Sequence, residues 1–279
     1  MNKCRQNCID IAYASNDNYV LPLCCAIKSL LVNIQNAEIF VRVHVLCSNT
    51  LSYTNRDLIK TIEDKNSEIN FIQVDENIFS KFHLEKNSHI TRETYYRYLL
   101  PDLIKNTDKV LYLDCDTVVL NDISEIFSMN IEDYYIAGVS DFSEMAFKKR
   151  LSLNKYCNAG VLLFNLKKMR KENMSEKLIE YTLEHSNTIP FQDQDVINII
   201  FQDGIMMLDK KWNVQLAYYS KYNDSTVNYL NFSAKILHYI CEIKPWQYEY
   251  ENLYKLQFFK YFYMLPQNIQ LLLLNFPPK

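Results

Sequence analysis

The segment Lys109–Leu113 reads K-V-L-Y-L and stops on the triplet Asp114-Cys115-Asp116. A short apolar run without alternation is the pattern of a strand buried on both faces. Such a strand needs helices on either side of its sheet, which directs the chain to the α/β class. The remaining sequence supplies both kinds of element. Residues 8–15 alternate and then run into N-D-N, and 39–46, 69–74, 135–139 and 160–165 read as further strands. Helical spacing covers 19–32, 52–65, 92–100, 174–184 and 192–201. Pro22 is tolerable in a first turn, and Pro101 is expected to stop the helix over 92–100. No linker, repeat or low-complexity run divides the chain, so the expectation is one α/β domain over 1–250 with an aromatic-rich helical tail over 251–279.

Composition narrows the function. The chain of 279 residues has three glycines, Gly138, Gly160 and Gly204. A Rossmann G-x-G-x-x-G or a P-loop needs clustered glycines, so any phosphate is held by another device. Thirty basic against 33 acidic residues leave a formal charge of −3, which argues against a nucleic-acid partner. Eight cysteines form no C-x-x-C pair, and several sit in apolar runs such as L-P-L-C-C-A, where a free thiol behaves as a small hydrophobe. The start M-N-K-C-R-Q-N-C-I-D carries no apolar core of a signal peptide, so a reduced, cytoplasmic setting is expected.

No stretch approaches the roughly 18 apolar residues of a spanning helix. The nearest, Leu256 to Phe276, is broken by Lys260, Pro266, Gln267 and Asn268. It reads either as a helix packed on the domain or as an interfacial anchor at the inner face of the cell membrane.

In open α/β sheets ligands bind beyond the carboxyl ends of strands, where Asp114 and Asp116 lie. Two carboxylates so spaced can aim oxygens at one hard cation. The spacing alone is weak, because 17 aspartates make a D-x-D arise about once by chance. It occurs twice, the second time as Asp193-Gln194-Asp195. A buried strand in front of the first pair raises its weight.

Six blocks stand in order along the chain: A-S-N-D-N-Y (14–19), R-E-T-Y-Y-R-Y-L-L-P (92–101), K-V-L-Y-L-D-C-D-T-V-V (109–119), N-A-G-V-L-L-F-N-L-K (158–167), F-Q-D-Q-D-V-I-N (191–198) and H-Y-x(4)-K-P-W (238–246). Together they resemble the bacterial GT8 glycosyltransferases, which include lipooligosaccharide and lipopolysaccharide galactosyl- and glucosyltransferases. The resemblance implies a GT-A (Rossmann-like) fold with a mixed, mostly parallel sheet flanked by helices and a C-terminal helical extension. It implies a retaining transfer of galactose or glucose from UDP-galactose or UDP-glucose to an oligosaccharide or glycolipid acceptor.

The same resemblance distributes roles. A divalent ion, Mn²⁺ or Mg²⁺, falls to Asp114, Asp116 and His238. Lys244 would be the positive group on the diphosphate, as a point charge in place of a glycine cradle. Asn16, Asn18 and Tyr19 fall at the uracil and ribose, where Tyr19 can stack on the base. Cys115 and Asn158 join the donor-binding set, Asn158 at the sugar hydroxyls. Arg97 and Asp193 belong beside the donor sugar, and Gln194 on the β-face of its anomeric carbon. Gln194 is an amide and a poor nucleophile, which favours front-face substitution over a covalent intermediate. Each residue also has a plainer reading: a cap for Asn16, Asn158 and Asp193, a structural ion pair for Arg97, a core histidine for His238, a surface lysine for Lys244. The chain departs from the family at Ile240-Cys241-Glu242-Ile243, where relatives carry a small glycine-containing stretch. The segment 141–156, with Lys148, Lys149 and Arg150, is where acceptor contacts are expected.

Three other readings fit some of these residues. L-D-C-D-T-V matches the D-x-D-x-T nucleophile motif of haloacid-dehalogenase-type phosphatases, although the chain has no Asp-Asp dipeptide. A catalytically silent sugar-binding protein and a self-glucosylating primer enzyme are the others.

Overall fold

The computed structural model describes residues 7–82, 91–185, 188–216, 233–240 and 242–275. Cys4, Cys241 and the end of the tail from Phe276 lie outside these residues. Seven strands make the main sheet: β1 (Cys8–Ala14), β2 (Phe40–Cys47), β3 (Ser67–Gln73), β4 (Lys109–Leu113), β6 (Ile136–Ser140), β7 (Cys157–Asn165) and β8 (Ile205–Met207), in the order β3-β2-β1-β4-β7-β6-β8. Among the described strands of this sheet, β7 alone runs against its neighbours, pairing antiparallel with β4 and β6. The α/β class and the mostly parallel sheet thus match expectation. A second sheet joins β5 (Thr117–Val119), β10 (Ile236–His238) and β9 (Val214–Gln215) in the order β5-β10-β9.

Two apolar clusters sandwich the main sheet. Ile11, Leu111 and Leu113 face one, which includes the helix Val20–Asn33, and Ala12, Tyr112 and Leu162 face the other. Alternate residues of one strand therefore enter opposite cores, as a doubly covered sheet requires.

Several element ends differ from the sequence reading. The segment Arg92–Leu99 is a 3-10 helix, and Pro101 does not stop it. Pro101 instead lies in the first turn of a following helix, Leu100–Leu103, where its missing N–H has no partner to lose. The helix over 52–65 is shorter, Tyr53–Lys60, closed by a turn in which Thr61 Oγ1 donates to the Leu58 carbonyl.

The tail helix Lys255–Phe262 buries Phe258, Tyr261 and Phe262 in the same core as the helix Val20–Asn33, and Asn33 Nδ2 donates to Tyr261 Oη at 2.8 Å. Elsewhere in the tail Leu253, Leu256, Tyr263, Leu271 and Leu274 are exposed. Among the described residues no helix is long and apolar enough to cross a membrane. Cys24, Cys25, Cys47, Cys115 and Cys157 are buried free thiols.

Candidate active site

Strand pairing assembles the site. β4 ends at Leu113, opposite Val161, so Asp114 comes to lie beside Gly160, whose carbonyl accepts the Asp114 N–H at 2.8 Å. β5 begins directly after Asp116, and its antiparallel pairing puts His238 opposite Thr117. Ligand atoms of Asp114, Asp116 and His238 consequently lie within 4.8 Å of one another. His238 Nε2 is 3.3 Å from Asp116 Oδ1 and 3.7 Å from Asp114 Oδ2.

Three observations fit these residues to a divalent ion. Among the described residues, the buried Asp116 Oδ1 has no hydrogen-bond partner. A Cβ on Gly160 would stand 2.1 Å from His238 Cε1 and 2.6 Å from Asp114 Oδ2, so glycine keeps this space clear. Two carboxylates and one imidazole suit a hard or borderline cation.

Lys244 is buried, and its Nζ donates to Asp116 Oδ2 and to the Tyr239 carbonyl, each at 2.7 Å. Burial pushes the Asp116 pKa up, but Lys244 and His238 outweigh it and hold the carboxyl well below the usual range. On the other flank Arg97, also buried, donates to Asp114 Oδ1 at 2.9 Å, pairs with Asp193 Oδ2 at 3.2 Å and lies 4.2 Å from the centre of the Tyr112 ring. Burial lowers the Arg97 pKa, and the charges of Asp114 and Asp193 more than restore it. Burial dominates at Asp193 and raises its pKa to about 6, against the opposing pull of Arg97 and Thr94.

The Gln194 amide is held at both ends. Its Oε1 accepts the Ala159 N–H at 2.9 Å and Asn158 Nδ2 at 3.2 Å. Its Nε2 donates to Asp141 Oδ2 and Tyr156 Oη, both at 3.2 Å. Asn16 Nδ2 donates to the buried Glu93, and its Oδ1 accepts the Asn18 N–H, the geometry of a cap.

A cavity of ≈ 580 Å³ collects these groups. Asn16, Tyr19, Arg97, Asp114, Cys115, Asp116, Asn158, Asp193, Gln194, His238 and Lys244 all line it. Asn18 is exposed and lies outside the lining. Around the departure at 240–243, Ile240 lines the cavity while Glu242 points to solvent.

Sequence reasoning missed Glu93, Thr94 and Asn213. Thr94 Oγ1 donates to Asp193 Oδ1 at 2.8 Å, and Glu93 receives both Asn16 and Thr50. Glu93 and Thr94 stand inside the R-E-T-Y-Y-R block, so their closeness to Arg97 was available as a signal. Asn213 had no such signal.

The family model for glycosyl transferase family 8 matches residues 10–250. General stress protein A of Bacillus subtilis is 30% identical over 270 residues, covering 90% of this chain and 92% of that protein. The lipopolysaccharide 1,3-galactosyltransferase of Salmonella typhimurium is 33% identical over 174 residues, 58% of this chain and 52% of its own length. Several further relatives are longer, and the chain spans between 29% and 61% of them. The crystal structure of the galactosyltransferase LgtC in complex with donor and acceptor sugar analogs superposes with a TM-score of 0.80 at 28% identity, covering 94% of this chain and 99% of that one. This family assignment displaces the phosphatase reading of L-D-C-D-T-V. With its GT-A fold and a family match over residues 10–250, the chain belongs to glycosyltransferase family 8.

Proposed function

We propose that this glycosyltransferase moves a hexose, galactose or glucose, from a UDP-sugar to a glycan or lipid-linked glycan, with metal dependence and retention of configuration. The observation that carries the reading is the convergence of Asp114, Asp116 and His238 on a space kept clear by Gly160. An ion bound there, Mn²⁺ or Mg²⁺, supplies Lewis-acid stabilisation to a diphosphate leaving group.

The protein's own groups do the remaining work. Asp116 stays ionised at any physiological pH because Lys244 and His238 face it. Lys244 spends two of its three N–H donors on Asp116 and Tyr239 and keeps one for a phosphate oxygen. Tyr19, partly buried and edge-on to Trp246, offers a face for the uracil. Cys115, whose thiol donates to the Ala14 carbonyl, forms part of the cavity wall on the donor side. Arg97 and Asp193, fixed by Thr94, bracket the sugar beside Asn158.

Gln194 Oε1 already accepts two hydrogen bonds, which lowers its power as a nucleophile further. This favours front-face substitution. The bond from the anomeric carbon to the phosphate oxygen breaks, the acceptor oxygen bonds to that carbon on the same face, and the acceptor proton passes to the departing phosphate oxygen. Gln194 and Asp193 orient the sugar and offset the oxocarbenium charge. The acceptor enters past the helix Glu144–Leu151, where Arg150 holds Asp195 and lies 5.1 Å from the rings of both Phe147 and Phe191. The exposed Leu256, Tyr263 and Leu271 of the tail support a peripheral contact with the inner face of a membrane.

The test is UDP release from a panel of UDP-hexoses with Mn²⁺ and with EDTA, alongside Asp116→Asn. Metal-dependent release from one donor, lost in the variant, is the expected result and names the sugar. No release and no UDP binding with Mn²⁺ present would overturn the reading.

A further inference from the structure

We propose that Asn213 is a positioning residue that holds His238 in its metal-binding tautomer and ties it to the sugar-binding amides. The inference rests on the metal-site reading above. A neutral imidazole carries one N–H and one lone pair. For His238 Nε2 to bind an ion beside Asp114 and Asp116, its proton must sit on Nδ1, and a buried N–H needs an acceptor. Asn213 Oδ1 lies 3.2 Å from His238 Nδ1.

The orientation of that amide follows from a chain of hydrogen bonds that starts at the backbone. The Gly160 N–H can only donate, and it donates to Asn158 at 3.0 Å, which makes the accepting atom Oδ1. Asn158 Nδ2 then faces two acceptors, Asp141 Oδ2 at 3.1 Å and Gln194 Oε1 at 3.2 Å. Asn158 Oδ1 also meets the Asn213 amide at 2.9 Å, so the Asn213 atom there must be the donor Nδ2. Its Oδ1 is left to face His238 Nδ1, which must therefore carry the proton. One backbone N–H thus sets the tautomer through two side-chain amides. Gly160, the same residue, clears the space in front of Nε2.

Asn213 is well placed to act this way. It is 1% exposed, follows the 3-10 turn Lys210–Trp212 and directly precedes β9, which pairs with the His238 strand. Among the described residues its side chain hydrogen-bonds His238 and Asn158 and neither Asp114 nor Asp116, so its action runs through those two partners.

The experiment measures Mn²⁺ binding by the electron paramagnetic resonance signal of the free ion, on the full chain, without any sugar. Asn213→Ala is expected to weaken Mn²⁺ by roughly 10- to 100-fold. Asn213→Asp keeps an acceptor for His238 but loses the donor to Asn158. It should bind Mn²⁺ within about threefold of wild type, or tighter, while its KM for the UDP-hexose rises. Because Asp matches Asn in size, that variant carries the test if Asn213→Ala does not fold. Wild-type Mn²⁺ affinity in a folded Asn213→Ala, or a tenfold loss in a folded Asn213→Asp, overturns the proposal. His238→Ala separates the two levels. If it weakens Mn²⁺ and Asn213→Ala does not, only the positioning role fails; if neither does, or the wild type binds no Mn²⁺, the metal-site reading fails with it.

Discussion

Gly160 and His238 are packed so closely that a methyl group on Gly160 would stand 2.1 Å from the imidazole Cε1. The same methyl would lie 2.6 Å from Asp114 Oδ2. Gly160 belongs to a wholly buried strand and has no left-handed φ, so its value lies in the missing side chain and not in backbone freedom. Gly160→Ala should therefore push His238 and Asp114 apart. A displacement of about an ångström in a reacting site lowers rate by about 100-fold, and that loss is expected in metal-dependent UDP release. An alanine variant within tenfold of wild type would remove Gly160 from the argument for the metal site.

Asp193 sets a pH dependence. Its folded pKa of about 6 lies above the value of about 3.9 of an unfolded chain. Between those pH values the folded protein holds a proton that the unfolded chain has released. Its contribution to stability therefore falls as pH rises from about 4 to about 6 and is level beyond. Thermal unfolding of metal-free wild type and Asp193→Asn across pH 4–8 should show the two curves separating over that window, with wild type losing ground. Ionised Asp193 is the form that pairs with Arg97, so kcat/KM should fall tenfold per pH unit below about 6. A pH–rate profile flat down to pH 5 would refute this.

Asp10 works at the other end of the sheet. Its carboxylate accepts from Arg42 Nε at 2.6 Å and lies 2.7 Å from His44 Nε2. Burial pushes its pKa up, and the hydrogen bonds from His44 and Arg42 reverse this to leave it lowered. A depressed carboxyl stabilises above its unfolded pKa, and that contribution is lost as pH falls below about 4. Asp10→Ala should lose about 1–3 kcal/mol at pH 7, because Arg42 is partly solvated and the full buried-pair penalty does not apply. Urea unfolding measures this, and kcat per folded molecule should stay unchanged.

Buried and exposed residues of the tail have separable effects. Phe258→Ala removes a buried ring and should lose about 3–5 kcal/mol in urea unfolding. The triple variant Leu256→Asp, Tyr263→Asp and Leu271→Asp changes exposed positions only and should keep its stability within about 1 kcal/mol. Sedimentation with anionic phospholipid vesicles should capture wild type and not the triple variant. If wild type stays in the supernatant, the tail is a packing element alone.

The sequence by itself determined the class of fold, the D-x-D position and the family. Each is written in contiguous residues: K-V-L-Y-L has no polar face to spare, and Asp114 and Asp116 follow it directly. The helix Gln192–Phe201 was legible to the residue because acidic Asp193 and Asp195 mark its first turn and apolar Val196, Ile197 and Ile200 follow at helical spacing. What only the tertiary structure decided is the meeting of distant residues. β9 and β10 have two and three residues, too short for any periodic signal, and they exist because β5 offers an edge to β10 and β10 offers one to β9. That pairing brings His238 to Asp116 and Asn213 to His238. The same holds for the contacts that orient Gln194: Asn158 and Ala159 come from β7 and Asp141 from the end of β6, which the β7–β6 ladder sets side by side. Hydrophobic patterning is local and survives in one dimension, whereas the hydrogen bonds of a buried polar site depend on register, which is settled only when the sheets close.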